Sequence, residues 1–212
     1  MMYSVKEIFY TLQGEGKRSG RPAVFLRFSG CNLWNGKESD REFAICNFCD
    51  TDFIGTNGIN GGKYTLATEL AEKAMFLWPK HHLGSKPYIV CTGGEPLLQL
   101  DSPLINALHE LGFEVAIETN GTLLAPEGID WICMSPKPNT QIVQNKGDEL
   151  KFIYPQERLQ PELFLEMDFK HFYLQAMDGP FLNVNIQQCI SYCLAHPQWS
   201  LSLQTHKILG IP

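Results

Sequence analysis

The sequence lacks an excess of basic residues. Its 17 Lys and Arg residues stand against 23 Asp and Glu residues, which gives a formal net charge of −6 at pH 7. Proteins that bind nucleic acid directly neutralise several phosphates with a basic patch or stripe. Because the chain carries no such stripe, direct nucleic-acid binding is excluded from the functions that we expect.

Long hydrophobic runs are also missing. No stretch approaches the roughly 18 consecutive apolar residues that a membrane span requires. Residues 1–16 do not combine a cationic start with an apolar segment, as secretory signals do. We therefore expect a cytoplasmic protein with no membrane contact.

The composition is that of an ordinary globular enzyme, with 44% hydrophobic and 19% charged residues. A chain of 212 residues is long enough for one well-buried domain and too short for two of ordinary size. We expect a single domain over residues 1–212.

The seven cysteines are odd in number, which favours free thiols and metal binding over a disulfide framework. Cys31, Cys46 and Cys49 form a C-x14-C-x2-C pattern. Thiolates are the soft ligands that iron–sulfur clusters and zinc prefer, and the two-residue gap lets Cys46 and Cys49 face one metal centre.

No fourth cysteine lies near this group, since the next in the sequence is Cys91. A closed structural site needs four protein ligands, whereas three leave one coordination position open. We interpret the pattern as a cradle for an iron–sulfur cluster. The alternative is a zinc-stabilised binding module, in which His81 or His82 completes a site with the three cysteines.

Predicted strands alternate with helices or longer connections along the chain, which favours a mostly parallel α/β sheet. Several polar or Gly/Pro motifs come directly after a strand, where such sheets place ligand sites. Helices are predicted over residues 65–78, 102–111 and 183–195, with Ser102 as the cap of the second. Strands are predicted over residues 3–10, 22–30, 88–91, 114–118, 131–134, 150–153, 171–174 and 200–205.

Seven motifs occur in a specific order: Leu12-Gln13-Gly14-Glu15-Gly16, Arg27-Phe28-Ser29-Gly30-Cys31-Asn32-Leu33, Cys46-Asn47-Phe48-Cys49-Asp50-Thr51, Thr92-Gly93-Gly94-Glu95-Pro96, Glu118-Thr119-Asn120-Gly121, Ser135-Pro136-Lys137 and Gln204-Thr205-His206-Lys207. Together they resemble the radical S-adenosylmethionine (SAM) superfamily and, within it, the family of 7-carboxy-7-deazaguanine synthases. The resemblance covers essentially the whole chain. The sequence differs from the usual pattern at two places. Fourteen residues separate Cys31 from Cys46, where the superfamily usually has three, and Ala176 stands where Pro is expected.

The resemblance implies a partial (β/α) barrel of the radical SAM type with a modified cluster-binding loop. It implies a carbon–nitrogen lyase that converts 6-carboxy-5,6,7,8-tetrahydropterin to 7-carboxy-7-deazaguanine with loss of ammonia, in queuosine or other 7-deazapurine biosynthesis. SAM would be used catalytically, and the enzyme would require Mg²⁺. The alternative within the superfamily is an activating enzyme that generates a glycyl radical on a partner protein.

The resemblance also assigns roles to residues. Cys31, Cys46 and Cys49 would hold a 4Fe-4S cluster, and Thr51 would bind Mg²⁺. The residues implied for SAM are Phe48, Asp50, Gly94, Glu118, Ser135, Pro136, Lys137, Gln175, Ala176, Met177 and Asp178. The residues implied for the pterin are Leu12, Gln13, Gly14, Glu15, Arg27, Thr92, His206 and Pro212. A flavodoxin or ferredoxin is the implied electron donor, and a homodimer is the implied assembly.

Overall fold

A computed structural model describes residues 2–80 and 84–212. In this part of the chain, nine strands form one sheet in the order β3-β1-β2-β4-β5-β6-β7-β8-β9. The strands are β1 Tyr3–Leu12, β2 Pro22–Phe28, β3 Gly62–Tyr64, β4 Tyr88–Gly93, β5 Glu114–Thr119, β6 Trp131–Met134, β7 Lys146–Tyr154, β8 Asp168–Ala176 and β9 Trp199–Ser202. The helices are α1 Ala67–Leu77, α2 Ser102–Glu110, α3 Leu182–Ala195 and α4 Thr205–Leu209.

Most of this sheet is parallel. Strand β1 runs antiparallel to β2 and β3, and every pair from β2–β4 through β8–β9 is parallel. Parallel strands need crossover connections, and helices or loops supply them here. The prediction of a mostly parallel α/β sheet is confirmed.

The helices cover the sheet in two groups. Helices α1 and α2 pack together against the β1–β5 half, whereas α3 packs against β7, β8 and β9. Two clusters of buried apolar side chains lie beneath them, one around Leu26, Ile89 and Leu104 and the other around Phe152 and Leu174. The apolar core therefore supports both halves of the sheet.

One face of the sheet carries polar side chains at neighbouring positions. Arg27 on β2 pairs with Thr92 on β4, and Glu118 on β5 pairs with Cys133 on β6, which in turn pairs with Glu149 on β7. Because side chains alternate between the two faces of a strand, Lys151 shares the face of Glu149. Parallel pairing thus places polar and charged side chains from distant parts of the sequence side by side on one face of the sheet.

Four local predictions were wrong. Strands β7 and β8 extend well beyond residues 150–153 and 171–174, because their parallel ladder runs from the Lys146–Asp168 pair to the Tyr154–Ala176 pair and includes polar residues. The predicted strand 200–205 ends at Ser202, and Thr205 begins α4. Asp101, not Ser102, caps α2, because its carboxylate accepts a hydrogen bond from the Leu104 N–H at 3.1 Å.

None of the helices in residues 2–80 and 84–212 combines the length and the apolar character that crossing a membrane requires.

Leu104 and Leu194 offer a matched test of the core. Leu104 on α2 is fully buried, whereas the Leu194 side chain on α3 is 79% exposed. We expect Leu104→Ala to lower the free energy of unfolding by about 2–5 kcal/mol, because it removes buried methyl groups and leaves a cavity. Leu194→Ala should change it by no more than about 0.5 kcal/mol. Anaerobic urea unfolding measures both, and equal losses would contradict the packing of α2 described above.

Candidate active site

A cavity of about 340 Å³ opens at the carboxyl ends of the parallel strands. This is the edge at which α/β sheets place their ligands, and the volume lies in the range of small-molecule sites. The cavity brings together most of the residues implied above: Leu12, Gln13, Gly14, Glu15, Arg27, Cys46, Phe48, Cys49, Asp50, Thr51, Thr92, Gly94, Glu118, Ser135, Lys137, Gln175, Ala176, Asp178, His206 and Pro212.

Three of the implied residues do not line this cavity. Cys31 lies directly behind its wall, because a side chain at Gly94 would overlap Cys31 Cβ. Pro136 presents its carbonyl oxygen to the Gln156 Nε2 donor at 3.3 Å. The Met177 N–H donates to the Tyr154 carbonyl at 2.8 Å. Their roles toward a ligand therefore stay predictions.

The cysteine-bearing loop is braced by Arg41, which sequence reasoning missed. Residues Glu38–Phe43 form a 3₁₀ helix within the long gap between Cys31 and Cys46. From this helix, Arg41 Nη1 donates to the Cys49 carbonyl at 2.9 Å and to the Asn47 carbonyl at 3.0 Å. Its Nε donates a hydrogen bond to Glu38 Oε1 at 2.7 Å. The inserted residues thus fix the backbone of the C-x2-C turn.

The thiols in this loop lie in a partly buried environment. Burial raises the pKa of Cys31, although the backbone N–H groups of Leu33 and Trp34 act in the opposite direction. Burial likewise raises the pKa of Cys46 to about 11. Because only thiolates bind metal, metal binding at these two residues has to displace their protons.

The donor set fits an iron–sulfur cluster better than a single ion. In the described part of the chain, no three or more His, Cys, Asp or Glu side chains are arranged to hold one metal ion. His81 and His82, the predicted completing ligands of a zinc site, lie outside the described residues. Two thiols in the cavity wall, with Cys31 directly behind it, suit a multi-iron cluster, whose iron atoms are each reached by a different cysteine.

Glu95 fixes the turn that follows β4. Its side chain is fully buried. One oxygen accepts hydrogen bonds from the Leu97 N–H at 3.0 Å and the Thr119 hydroxyl at 2.9 Å, and the other accepts from the Asn120 N–H at 2.8 Å. These bonds join the Gly93–Gly94 turn to the end of β5, so two predicted SAM-binding motifs are held in one rigid unit.

Arg27 lies in the cavity wall beside Glu7. Its Nε donates to Glu7 Oε1 at 2.8 Å. Among the residues that the structure describes, no hydrogen bond to the two terminal nitrogens of Arg27 is found. The guanidinium is therefore oriented by one carboxylate and still has donors to offer to another.

The C-terminal segment closes one side of the cavity through residues that the motifs left without a role. Lys207 pairs with Asp50 of the cysteine loop at 2.6 Å and with Asp178 after β8 at 2.5 Å. Gln204 Nε2 donates to Glu15 Oε1 at 3.0 Å and to Asp50 at 3.1 Å. The hydroxyl of Thr11 donates to the Pro212 carbonyl at 3.0 Å. The chain end is thus tied to three different loops.

Comparisons with known proteins agree with this geometry. A family model described as the radical SAM superfamily matches residues 43–137. The 7-carboxy-7-deazaguanine synthases of Caulobacter vibrioides and Bordetella pertussis are each 58% identical to this chain, and that of Burkholderia multivorans is 55% identical. In all three, 100% of both chains is covered. This chain belongs to the 7-carboxy-7-deazaguanine synthase family.

A comparison with solved crystal structures also supports the fold. The crystal structure of QueE from Escherichia coli is 24% identical and aligns with a TM-score of 0.66 over 96% of this chain and 94% of that chain. The α/β partial barrel of the radical SAM type is therefore confirmed. Membership of the 7-carboxy-7-deazaguanine synthase family also confirms a radical SAM lyase with a 4Fe-4S cluster and SAM, and it leaves no support for the activating-enzyme alternative.

The brace formed by Arg41 can be tested through cluster retention. Arg41→Ala removes two charge-assisted hydrogen bonds to the C-x2-C backbone, each worth about 1.5–3 kcal/mol when well formed. We expect the reconstituted cluster to be lost to a chelator several-fold faster than in the unchanged protein, as followed by visible absorbance. Lys37→Ala, an exposed change in the same loop, is the control. Equal rates of loss in all three proteins would show that Arg41 does not brace the site.

Proposed function

We propose that this chain converts 6-carboxy-5,6,7,8-tetrahydropterin to 7-carboxy-7-deazaguanine with loss of ammonia, as a step in queuosine or other 7-deazapurine biosynthesis. The single observation that carries the proposal is the 58% identity, over the full length of both chains, to the 7-carboxy-7-deazaguanine synthase of Caulobacter vibrioides. The cavity adds support, since it is lined by acceptors and by one oriented guanidinium, as a polar heterocycle with a carboxylate requires. We further propose that residues 1–212 act as one domain, in keeping with the single continuous sheet.

The direct test is an anaerobic assay with reduced, reconstituted protein, SAM, Mg²⁺ and the carboxytetrahydropterin. Mass spectrometry should detect 7-carboxy-7-deazaguanine and ammonia. The amount of SAM consumed should be smaller than the amount of product formed, because SAM acts as a catalyst. Absence of product with an intact cluster would refute the proposed reaction.

The cofactor half of the cavity is assigned to the cluster and SAM. We infer that Cys31, Cys46 and Cys49 would hold a 4Fe-4S cluster, which would bind SAM and supply the reducing electron. Gly94 allows close backbone approach beside Cys31. Residues at the other strand ends complete the SAM site in this proposal: Phe48, Asp50, Glu118, Ser135, Pro136, Lys137, Gln175, Ala176, Met177 and Asp178.

Cys49→Ala tests the cluster assignment. Loss of one of only three thiolate ligands should abolish cluster binding or leave well under the four irons per chain of a full cluster, as measured by iron analysis and absorbance. Cys193→Ala is the matched control, since this cysteine lies on α3, outside the cavity. A full cluster in the Cys49 variant would contradict the assignment.

The substrate half is assigned to Leu12, Gln13, Gly14, Glu15, Arg27, Thr92, His206 and Pro212. In this proposal the terminal nitrogens of Arg27 receive the pterin carboxylate. Glu15 and Gln13 accept hydrogen bonds from the donor-rich edge of the ring. Gly14 has a packing role as well, because a side chain there would overlap the His206 ring. Because Gly14 has no side chain, the His206 ring can reach the cavity.

Arg27→Ala tests the carboxylate contact. Removing the guanidinium should weaken pterin binding by about 10- to 100-fold, which corresponds to one or two hydrogen bonds to a charged group, while cluster content stays unchanged. Arg21→Ala is the control, because Arg21 also pairs with a glutamate, Glu114, at 2.5 Å but does not line the main cavity. Anaerobic calorimetry measures both affinities, and unchanged binding in the Arg27 variant would remove this residue from the substrate site.

Three further assignments belong to the proposal. Thr51 would bind Mg²⁺, which keeps most of its waters and accepts substrate oxygens, so that one hydroxyl suffices from the protein. A flavodoxin or ferredoxin would supply electrons to the cluster. Two copies of the chain would form a homodimer. The position of Thr51 in the cavity wall, next to Asp50, is consistent with the first of these.

A further inference from the structure

Lys151 is a buried lysine to which none of the sequence motifs assigns a role. It lies on β7 with its side chain only 5% exposed. Its position on the polar face of the sheet places it at the wall of the cavity, beside residues of both the substrate half and the cofactor half. A buried ammonium group is costly unless its partners compensate it.

The partners of Lys151 come from opposite halves of the cavity. Its Nζ forms an ion pair with Glu15, in the loop after β1, and lies 3.2 Å from Glu118 Oε2 on β5. Glu15 belongs to the proposed pterin site and Glu118 to the proposed SAM site. One cation therefore fixes the spacing between the two sites.

Both carboxylates are held on their other oxygen as well. Glu15 Oε1 accepts from Gln204 Nε2 at 3.0 Å, and Glu118 Oε1 accepts from Gln13 Nε2 at 3.0 Å. A carboxylate oxygen can accept two hydrogen bonds. Among the described residues, each of the four oxygens thus has one donor and retains capacity for a second donor from a ligand.

The charge of Lys151 acts on the pKa of Glu15. Burial acts to raise the pKa of Glu15, but the charge of Lys151, together with hydrogen bonds from Lys151 and Gln204, outweighs burial and lowers it. For Glu149, on the same strand as Lys151, burial dominates and the pKa is raised. At Glu149, burial therefore outweighs the charge of Lys151, which also acts to lower that pKa.

We propose that Lys151 is a positioning residue for the reaction: it fixes Glu15 and Glu118 as paired hydrogen-bond acceptors, one for the pterin ring and one for SAM. This inference rests on the proposed function. It assigns no chemical step to Lys151, which acts through the two carboxylates.

Lys151→Met tests the proposal, because it keeps the length of the side chain and removes the charge. On anaerobic holoenzyme, we expect the dissociation constants of the pterin and of SAM to rise by about tenfold or more, the scale of one lost charge-assisted contact. Iron content and the cluster spectrum should stay unchanged. Lys170→Met is the matched control, since Lys170 lies on the neighbouring strand β8 with a side chain 71% exposed.

Lys151→Arg distinguishes positioning from folding. It keeps the positive charge, so we expect affinities between those of the Met variant and the unchanged protein. Unchanged affinities in the Met variant, or an Arg variant that binds no better than Met, would overturn the proposal. Failure of both variants to fold would assign Lys151 to folding alone and would overturn it equally. If the unchanged protein does not bind the pterin, it is the proposed function that fails.

Discussion

The proposed cluster requires three thiols at the carboxyl edge of a parallel sheet, and the rest of the site is arranged around that requirement. Cys31 follows directly from β2, whereas Cys46 and Cys49 come from a loop that the sheet itself does not position. Arg41 compensates by bonding the backbone of that loop. Glu95 and the close approach of Gly94 then fix the next strand end against Cys31.

The second constraint is electrostatic. The polar face of the sheet encloses several carboxyl groups, and ionised groups out of water need partners. Lys151 forms ion pairs with Glu15 and Glu118 deep in the cavity, whereas Lys207 forms ion pairs with Asp50 and Asp178 at its mouth. Each lysine joins segments far apart in sequence. The ion pairs that compensate burial therefore also hold together the proposed substrate and cofactor halves of the cavity.

Much of the fold and site could be predicted from sequence, because thiolate spacing and Gly-rich turns are local signals. The three cysteines and the motifs after β4, β5 and β6 were found in this way. Arg41 and Lys151 were missed, and Lys207 was quoted in the tail motif without a role, because a lysine or arginine in a sequence looks the same whether it faces water or contacts a distant segment of the fold. Lys151 and Glu15 are 136 positions apart, so only the folded sheet reveals their pairing. The lengths of β7 and β8 were underestimated because the parallel ladder between them continues through charged residues such as Glu149 and Asp168, which break an apolar strand pattern.

The central claim is that three cysteines hold a 4Fe-4S cluster with one iron left for SAM. Mössbauer spectroscopy of ⁵⁷Fe-reconstituted protein, recorded without oxygen and with and without SAM, tests it most directly. The account predicts four irons per chain in one cluster, with the signal of a single iron changing when SAM is added. A cluster whose spectrum ignores SAM, or protein that assembles no four-iron cluster, would contradict it.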